Sequence, residues 1–202
     1  MRVGIFGGTF NPIHYGHLRL AECAVMELGL DKVYFLPTNI PPHKDSSQII
    51  DIEHREKMVL LAIEGNHFFA FSDMESRTKS ITYTADTILK FKEMTGGAEL
   101  FFITGSDTLK TFHKYVRYKT ILANAKLVVA PRPDSFDLGG IEKDVLDAAV
   151  IIKNFEQLDI SSTRIRELVN GSSSIRYLVA DDVREYIIAN SLYRPENEQI
   201  KN

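Results

Sequence analysis

Short apolar runs alternate with longer amphipathic stretches from the first residues to about position 160, and this alternation constrains the fold more than any other feature of the chain. The runs at 2–6, 32–36, 68–72, 99–104, 126–130 and 149–153 read as strands. Between them, 16–28, 52–63 and 85–94 carry apolar residues at helical spacing. Crossovers of that length suit parallel strands, which hairpins cannot join. In the first helix Leu18, Ala21, Val25 and Leu28 form one stripe, and Gly29 can close it. From about Ser161 the pattern changes to two helices, 162–169 and 182–189, with Asn170-Gly171 as a stop and Asp181 as an N-cap. The expectation is one unit over 1–194, with an α/β core at 1–160, a helical cap at 161–194 and a polar tail at 195–202.

A chain of 202 residues with 44% hydrophobic content can bury a sizeable core. The formal charge of -3 argues against coating nucleic acid, which needs a clustered basic excess, but leaves a local positive site open. The one cysteine, Cys23, has no partner for an intrachain disulfide and reads as a small buried hydrophobe. The start MRVGIFGGTF lacks the features of a secretion signal, and no apolar run is long enough to cross a bilayer. A cytoplasmic protein with no membrane or nucleic-acid partner is expected, and a homo-oligomer is left open.

The segment Gly7-Gly8-Thr9-Phe10-Asn11-Pro12-Ile13-His14-Tyr15-Gly16-His17 follows the first strand and opens the first helix. Ligands of open α/β sheets settle outside the carboxyl ends of strands, and paired glycines let the backbone approach a bulky anion. The helix start then offers amides and a positive dipole end to a phosphate. The loop is neither a Walker loop nor a dinucleotide fingerprint, because the glycine spacing and the Gly-Lys-Ser/Thr ending are missing. His14 and His17, three apart, can reach one ligand. Taken alone, such a pair reads as solvated or capping histidines, and a zinc pair would need further ligands that no recognisable spacing supplies.

The loop resembles the GxFxPxHxGH signature of the nucleotidyltransferase superfamily that shares HxGH with class I aminoacyl-tRNA synthetases. That resemblance implies that His14 and His17 bind ATP phosphates and stabilise charge developing in the transition state. Far along the chain, Ile160-Ser161-Ser162-Thr163-Arg164-Ile165-Arg166 precedes a helix. Its hydroxyls can simply cap that helix, and Arg166 alone would be a surface charge; together they also make a phosphate cradle. The string resembles the ISSTxIR motif of the same superfamily, which faces the ATP phosphates opposite the histidines.

Further stretches resemble the bacterial nicotinate-nucleotide adenylyltransferases: Pro41-Pro42-His43-Lys44, Ile81-Thr82-Tyr83-Thr84-Ala85-Asp86-Thr87, Gly105-Ser106-Asp107, Ser174-Ile175-Arg176-Tyr177-Leu178-Val179 and Leu192-Tyr193. Each also has an ordinary reading as a solvated or capping segment. The resemblance covers the chain to about Arg194. It implies an α/β, Rossmann-like, doubly wound and mainly parallel sheet with a small C-terminal helical subdomain. It implies catalytic roles for His14, His17 and Arg166. ATP contacts would come from Gly7, Gly8, Thr9, Phe10, Gly105, Asp107, Ile160, Ser161, Ser162 and Thr163. Contacts to the mononucleotide would come from Lys44, Thr82, Tyr83, Thr84, Tyr115 and Arg132. Two features depart from the pattern: the chain has no tryptophan, so Tyr115 near Phe112 stands where relatives stack a tryptophan on the pyridine, and Arg132-Pro133-Asp134 replaces Arg-Pro-Gly.

The expected reaction is attack of the phosphate of nicotinate mononucleotide on the α-phosphorus of ATP, with Mg²⁺ on the phosphates and no metal held by the protein alone. Adenylyl transfer to nicotinamide mononucleotide or to phosphopantetheine is the nearest alternative, and a nucleotide sensor without turnover is one of a different class.

Overall fold

The computed structural model describes residues 1–39, 49–77, 82–130 and 139–194, with Ser106 and Asp107 described in backbone only. Lys44 and Arg132, with the rest of 41–44 and 132–134, Ile81 and the tail from 195, lie outside the described residues.

Six strands, β1 (Arg2–Gly8), β2 (Lys32–Pro37), β3 (Phe69–Phe71), β4 (Glu99–Gly105), β5 (Ala125–Ala130) and β6 (Ala149–Ile151), form one sheet in the order β3-β2-β1-β4-β5-β6. Every pairing is parallel. The expected doubly wound α/β sheet is therefore present, and each strand falls on one of the apolar runs. Strand order reverses between β1 and β4, which opens a crevice at their carboxyl ends.

Both faces of the sheet are buried, so alternate residues of one strand serve two cores. On one face Phe6, Phe101, Ile103 and Val128 pack with Ala21, Ala24 and Val25 of α1 (Tyr15–Leu28) and with Met58 and Val59 of α2 (Ile52–Ile63). On the other, Val3, Ile5, Leu100, Phe102 and Leu127 pack with Ile88 and Phe91 of α3 (Thr84–Met94). Three short helices were not predicted: α4 (Ser106–Leu109), α5 (Tyr118–Asn124) and α6 (Lys143–Ala148). None spans two full turns, so none carries enough residues to establish a helical period. The last two helices, α7 (Ser162–Asn170) and α8 (Asp181–Ala189), send Ile165, Val183 and Ile187 into the same core as α1 and α2. No described helix is long and apolar enough to cross a membrane.

Gly29 ends α1 in the left-handed conformation (φ 58°), as expected, and Cys23 is buried. The buried arc of α1 is wider than the single stripe read from sequence and takes in Leu20, Cys23 and Ala24. That helix is covered on a second side by the chain after β6, where Glu27 accepts the amides of Lys153 and Asn154. The N-cap of α8 is Ala180, not Asp181. Asp181 instead occupies the first turn, where the helix dipole favours it and Arg184 lies 3.2 Å away.

Gly4 lies at the middle of β1, and a Cβ there would stand 2.9 Å from Val33 Cγ2 and 3.0 Å from Ile103 Cδ1. Gly4→Ala should destabilise the protein by about 1–3 kcal/mol through overpacking. A urea midpoint unchanged from wild type would show that β1 and β2 are not packed this closely.

Candidate functional site

The loop from β1 to α1 emerges at the reversal point of the sheet, where it forms one wall of a cavity of about 940 Å³. Its wall includes Gly7, Gly8, Thr9, Phe10, Asn11, His14, Gly16 and His17. Thr104, Gly105 and Thr108 close it from the end of β4, and Phe155 with 157–163 and Arg166 close it from the C-terminal side. The structure thus brings together His14, His17, Arg166 and every residue expected around ATP except Asp107, whose side chain is not described.

The loop is shaped by close contacts. Phe10 sits at φ 46°, buried, with its ring 5.6 Å from Phe6 and 5.1 Å from His17, edge to face in both cases. A Cβ on Gly8 would lie 2.8 Å from the Phe10 ring, and one on Gly16 would lie 3.0 Å from the His14 ring. Glycine is needed at both positions because aromatic rings fill the space a side chain would take.

His14 is the N-cap of α1, and its backbone amide donates to His17 Nδ1 at 3.2 Å. A ring nitrogen that accepts cannot carry a proton, so in this arrangement the proton of His17 is on Nε2. The two imidazoles lie 3.7 Å apart between centroids, with their planes tilted by 31°. His14 is buried, its Nδ1 has no hydrogen-bond partner, and desolvation lowers its pKa to about 4. His14 is therefore neutral near pH 7. Among the described residues, no three His, Cys, Asp or Glu side chains form a metal-binding group.

The two sequence signatures are joined by hydrogen bonds. Arg166 Nη1 donates to Asn11 O at 3.0 Å, and Ser162 Oγ donates to Pro12 O at 2.9 Å. Ser161 caps α7 by accepting the Arg164 amide at 3.2 Å. Two further residues grip the same loop: Tyr193, which sequence reasoning noted only within a family-like stretch and gave no role, and Arg55, which it missed. Tyr193 donates its hydroxyl proton to Asn11 Oδ1 at 3.0 Å, and burial pushes its pKa well up against the pull of Arg166 and Arg55. Arg55 of α2 is fully buried and donates to Thr9 O at 2.9 Å. The one signal for Arg55 was its position on the apolar stripe with Met58, Val59 and Ile63, where a charge is out of place.

Of the residues expected at the mononucleotide, Thr82, Tyr83, Thr84 and Tyr115 are described, and none of these is in the cavity wall. Tyr83 is the N-cap of α3 and Thr84 its first residue, while Thr82 Oγ1 is buried without a hydrogen-bond partner. Tyr115 stacks on Phe112 at 5.0 Å and 21° between planes. Its hydroxyl is paired with Thr108 of the cavity wall, and burial raises its pKa.

Comparison with known proteins places these features. A cytidylyltransferase-like family model matches residues 5–168. A protein of Lachnoclostridium phytofermentans named "Probable nicotinate-nucleotide adenylyltransferase" is 39% identical, over 95% of this chain and 98% of its own length. One of Rubrobacter xylanophilus with the same name is 40% identical, over 97% of this chain and 94% of its own. Among solved structures, the Plasmodium falciparum nicotinic acid mononucleotide adenylyltransferase complexed with APC superimposes with a TM-score of 0.77 at 21% identity, covering 95% of this chain and 96% of that one. The same enzyme complexed with NaAD also gives 0.77, at 20% identity, over 95% and 97% of the two chains. These two share the fold of this chain. The full-length sequence matches decide the family: the chain belongs to the cytidylyltransferase-like proteins and, within them, to the nicotinate-nucleotide adenylyltransferases.

Proposed function

We propose that this chain transfers AMP from ATP to nicotinate mononucleotide, forming deamido-NAD and releasing pyrophosphate. The observation that carries the reading is the meeting of His14, His17 and Arg166 in one cavity, although Arg166 and the loop it grips are 155 positions apart in sequence. The family assignment supports the same reaction and substrate.

The mononucleotide phosphate needs no base, because its second pKa of about 6 leaves it mostly dianionic at neutral pH. The barrier is repulsion between anions and the charge gathering on the departing pyrophosphate. Positioned hydrogen-bond donors and cations lower such a barrier without covalent chemistry. In this reading His17 presents Nε2–H to a phosphate oxygen, and neutral His14 fixes His17 through its amide and ring. Arg166 supplies the full positive charge, and its bond to Asn11 O holds it against the loop. Mg²⁺ arrives on the phosphate oxygens of ATP as part of that substrate and shares their charge.

The nicotinate carboxylate would be read near Thr82, Tyr83 and Thr84. The first turn of α3 starts there, and unpaired amides with a positive dipole end favour a carboxylate over a carboxamide. Tyr115 offers a ring for stacking on the electron-poor pyridine. Lys44, Arg132 and Asp107 remain part of the proposal on the family resemblance alone.

Three outcomes follow from these roles. Pyrophosphate release with ATP and Mg²⁺ should be much faster with nicotinate mononucleotide than with nicotinamide mononucleotide. Equal or reversed rates would keep adenylyl transfer and overturn the carboxylate-reading role of the α3 start. His17→Ala should lower kcat by about 100-fold or more, the scale of a lost electrostatic donor, and near wild-type turnover would remove His17 from the chemistry. The third outcome concerns acid. The pKa of His14 is about 4 in the fold against an ordinary 6.5, so between those values the unfolded chain binds the extra proton. Its contribution to stability is complete above pH 6.5 and is lost as pH falls toward 4, up to about 3 kcal/mol. Melting of the ligand-free protein across pH 7.5 to 4.5 should be less acid-sensitive in His14→Gln. Parallel curves for the two proteins would show that His14 is not buried in its neutral form.

A further inference from the structure

The Arg55 guanidinium makes four hydrogen bonds, all to backbone carbonyls: Ile50 O at 3.1 Å, Thr9 O at 2.9 Å, Thr38 O at 2.7 Å and Asn39 O at 3.0 Å. These oxygens belong to the loop after β1, the chain leaving β2 and the approach to α2. Arg55 is 1% exposed, and no carboxylate forms an ion pair with it among the described residues. A buried charge of this kind carries a large desolvation cost, and an apolar residue would continue the stripe of Met58, Val59 and Ile63 without it. Packing therefore does not account for arginine at this position, whereas the planar fork of donors does.

The carbonyl groups it joins are placed for function. Thr9 stands in the cavity wall, two residues before Asn11, which takes Arg166 on its backbone oxygen and Tyr193 on its side chain. Pro12 takes Ser162. Consecutive parts of one loop are thus held from the C-terminal segment at Asn11 and Pro12, and from α2 at Thr9. The Thr38 amide also donates to Gly8 O at 2.9 Å, so Arg55 and the last sheet bond together fix how far Thr9 stands from β2.

We infer that Arg55 is a positioning residue for ATP: by joining Thr9 to Thr38 and Asn39 it sets where the loop presents the nucleotide phosphates to His14 and His17. The inference rests on the reading that ATP occupies this cavity. Arg55 touches no reacting atom. It acts through the loop, and a lysine, with three donors on one nitrogen, cannot span the same four oxygens.

The test is initial-rate kinetics of wild type and Arg55→Lys, with ATP and nicotinate mononucleotide each varied at saturating Mg²⁺, alongside thermal melting. The variant should melt cooperatively, raise the KM for ATP about tenfold or more and lower kcat about 100-fold, the scale of an ångström-level misplacement. A purely structural role would reduce the folded fraction, which lowers apparent kcat and leaves KM for ATP unchanged; that pattern overturns the inference. Absence of turnover in wild type would instead overturn the functional reading on which the inference rests. If Arg55→Lys does not fold, the Arg55 Nε–H resonance of the wild-type protein decides. A shift on adding a non-hydrolysable ATP analogue supports the role, and a resonance that does not respond overturns it.

Discussion

The whole site depends on how the loop between β1 and α1 is held. A loop that carries an anion site has to keep its shape when the anion leaves, and its buried carbonyls must find donors. Here the donors are side chains from distant segments: Arg55 at Thr9, Arg166 at Asn11 and Ser162 at Pro12. Tyr193 completes the set on the Asn11 side chain. Residues from α2, α7 and the C-terminal segment thus meet on a few consecutive peptide units. With those carbonyls taken, the loop lines the cavity with its glycines and imidazoles together with Thr9, Phe10 and Asn11.

The sheet supplies the frame for that convergence. Reversal of strand order between β1 and β4 puts the crevice beside the central strand, and β1 is closely packed around Gly4 at its middle. The two C-terminal helices share the core that holds α1 and α2, so Arg166 and Ser162 reach the loop from a firmly packed support. A preorganised site of this kind needs little rearrangement when charge develops, which is the condition for electrostatic catalysis.

Much of this was legible in the sequence because the signals were local. Each strand was a short apolar run, and the glycines and histidines of the first loop stood in one unbroken segment. The loop and the Ile160–Arg166 string could be read as parts of one site through their likeness to a family. Their hydrogen bonding across the fold has no sequence signal of its own. Arg55 looks like one more polar residue on a surface helix, and its one signal was its place on the apolar stripe. The short helices α4, α5 and α6 were missed because fewer than two turns cannot display a period. Asp181 was misplaced by one residue because an acid favours both an N-cap and a first turn.

The chemistry proposed is a single displacement, in which His17 donates to a phosphate oxygen, His14 fixes His17, and neither forms a bond to phosphorus. Two adjacent imidazoles beside a reacting phosphate can also be imagined as a nucleophile and its base, and stereochemistry separates the two schemes. The measurement is the configuration at the α-phosphorus after transfer from ATP made chiral there by sulfur substitution. One in-line displacement by the mononucleotide phosphate predicts inversion. Retention would mean two displacements through a covalent enzyme intermediate, and would contradict the account of His17 as a positioned donor.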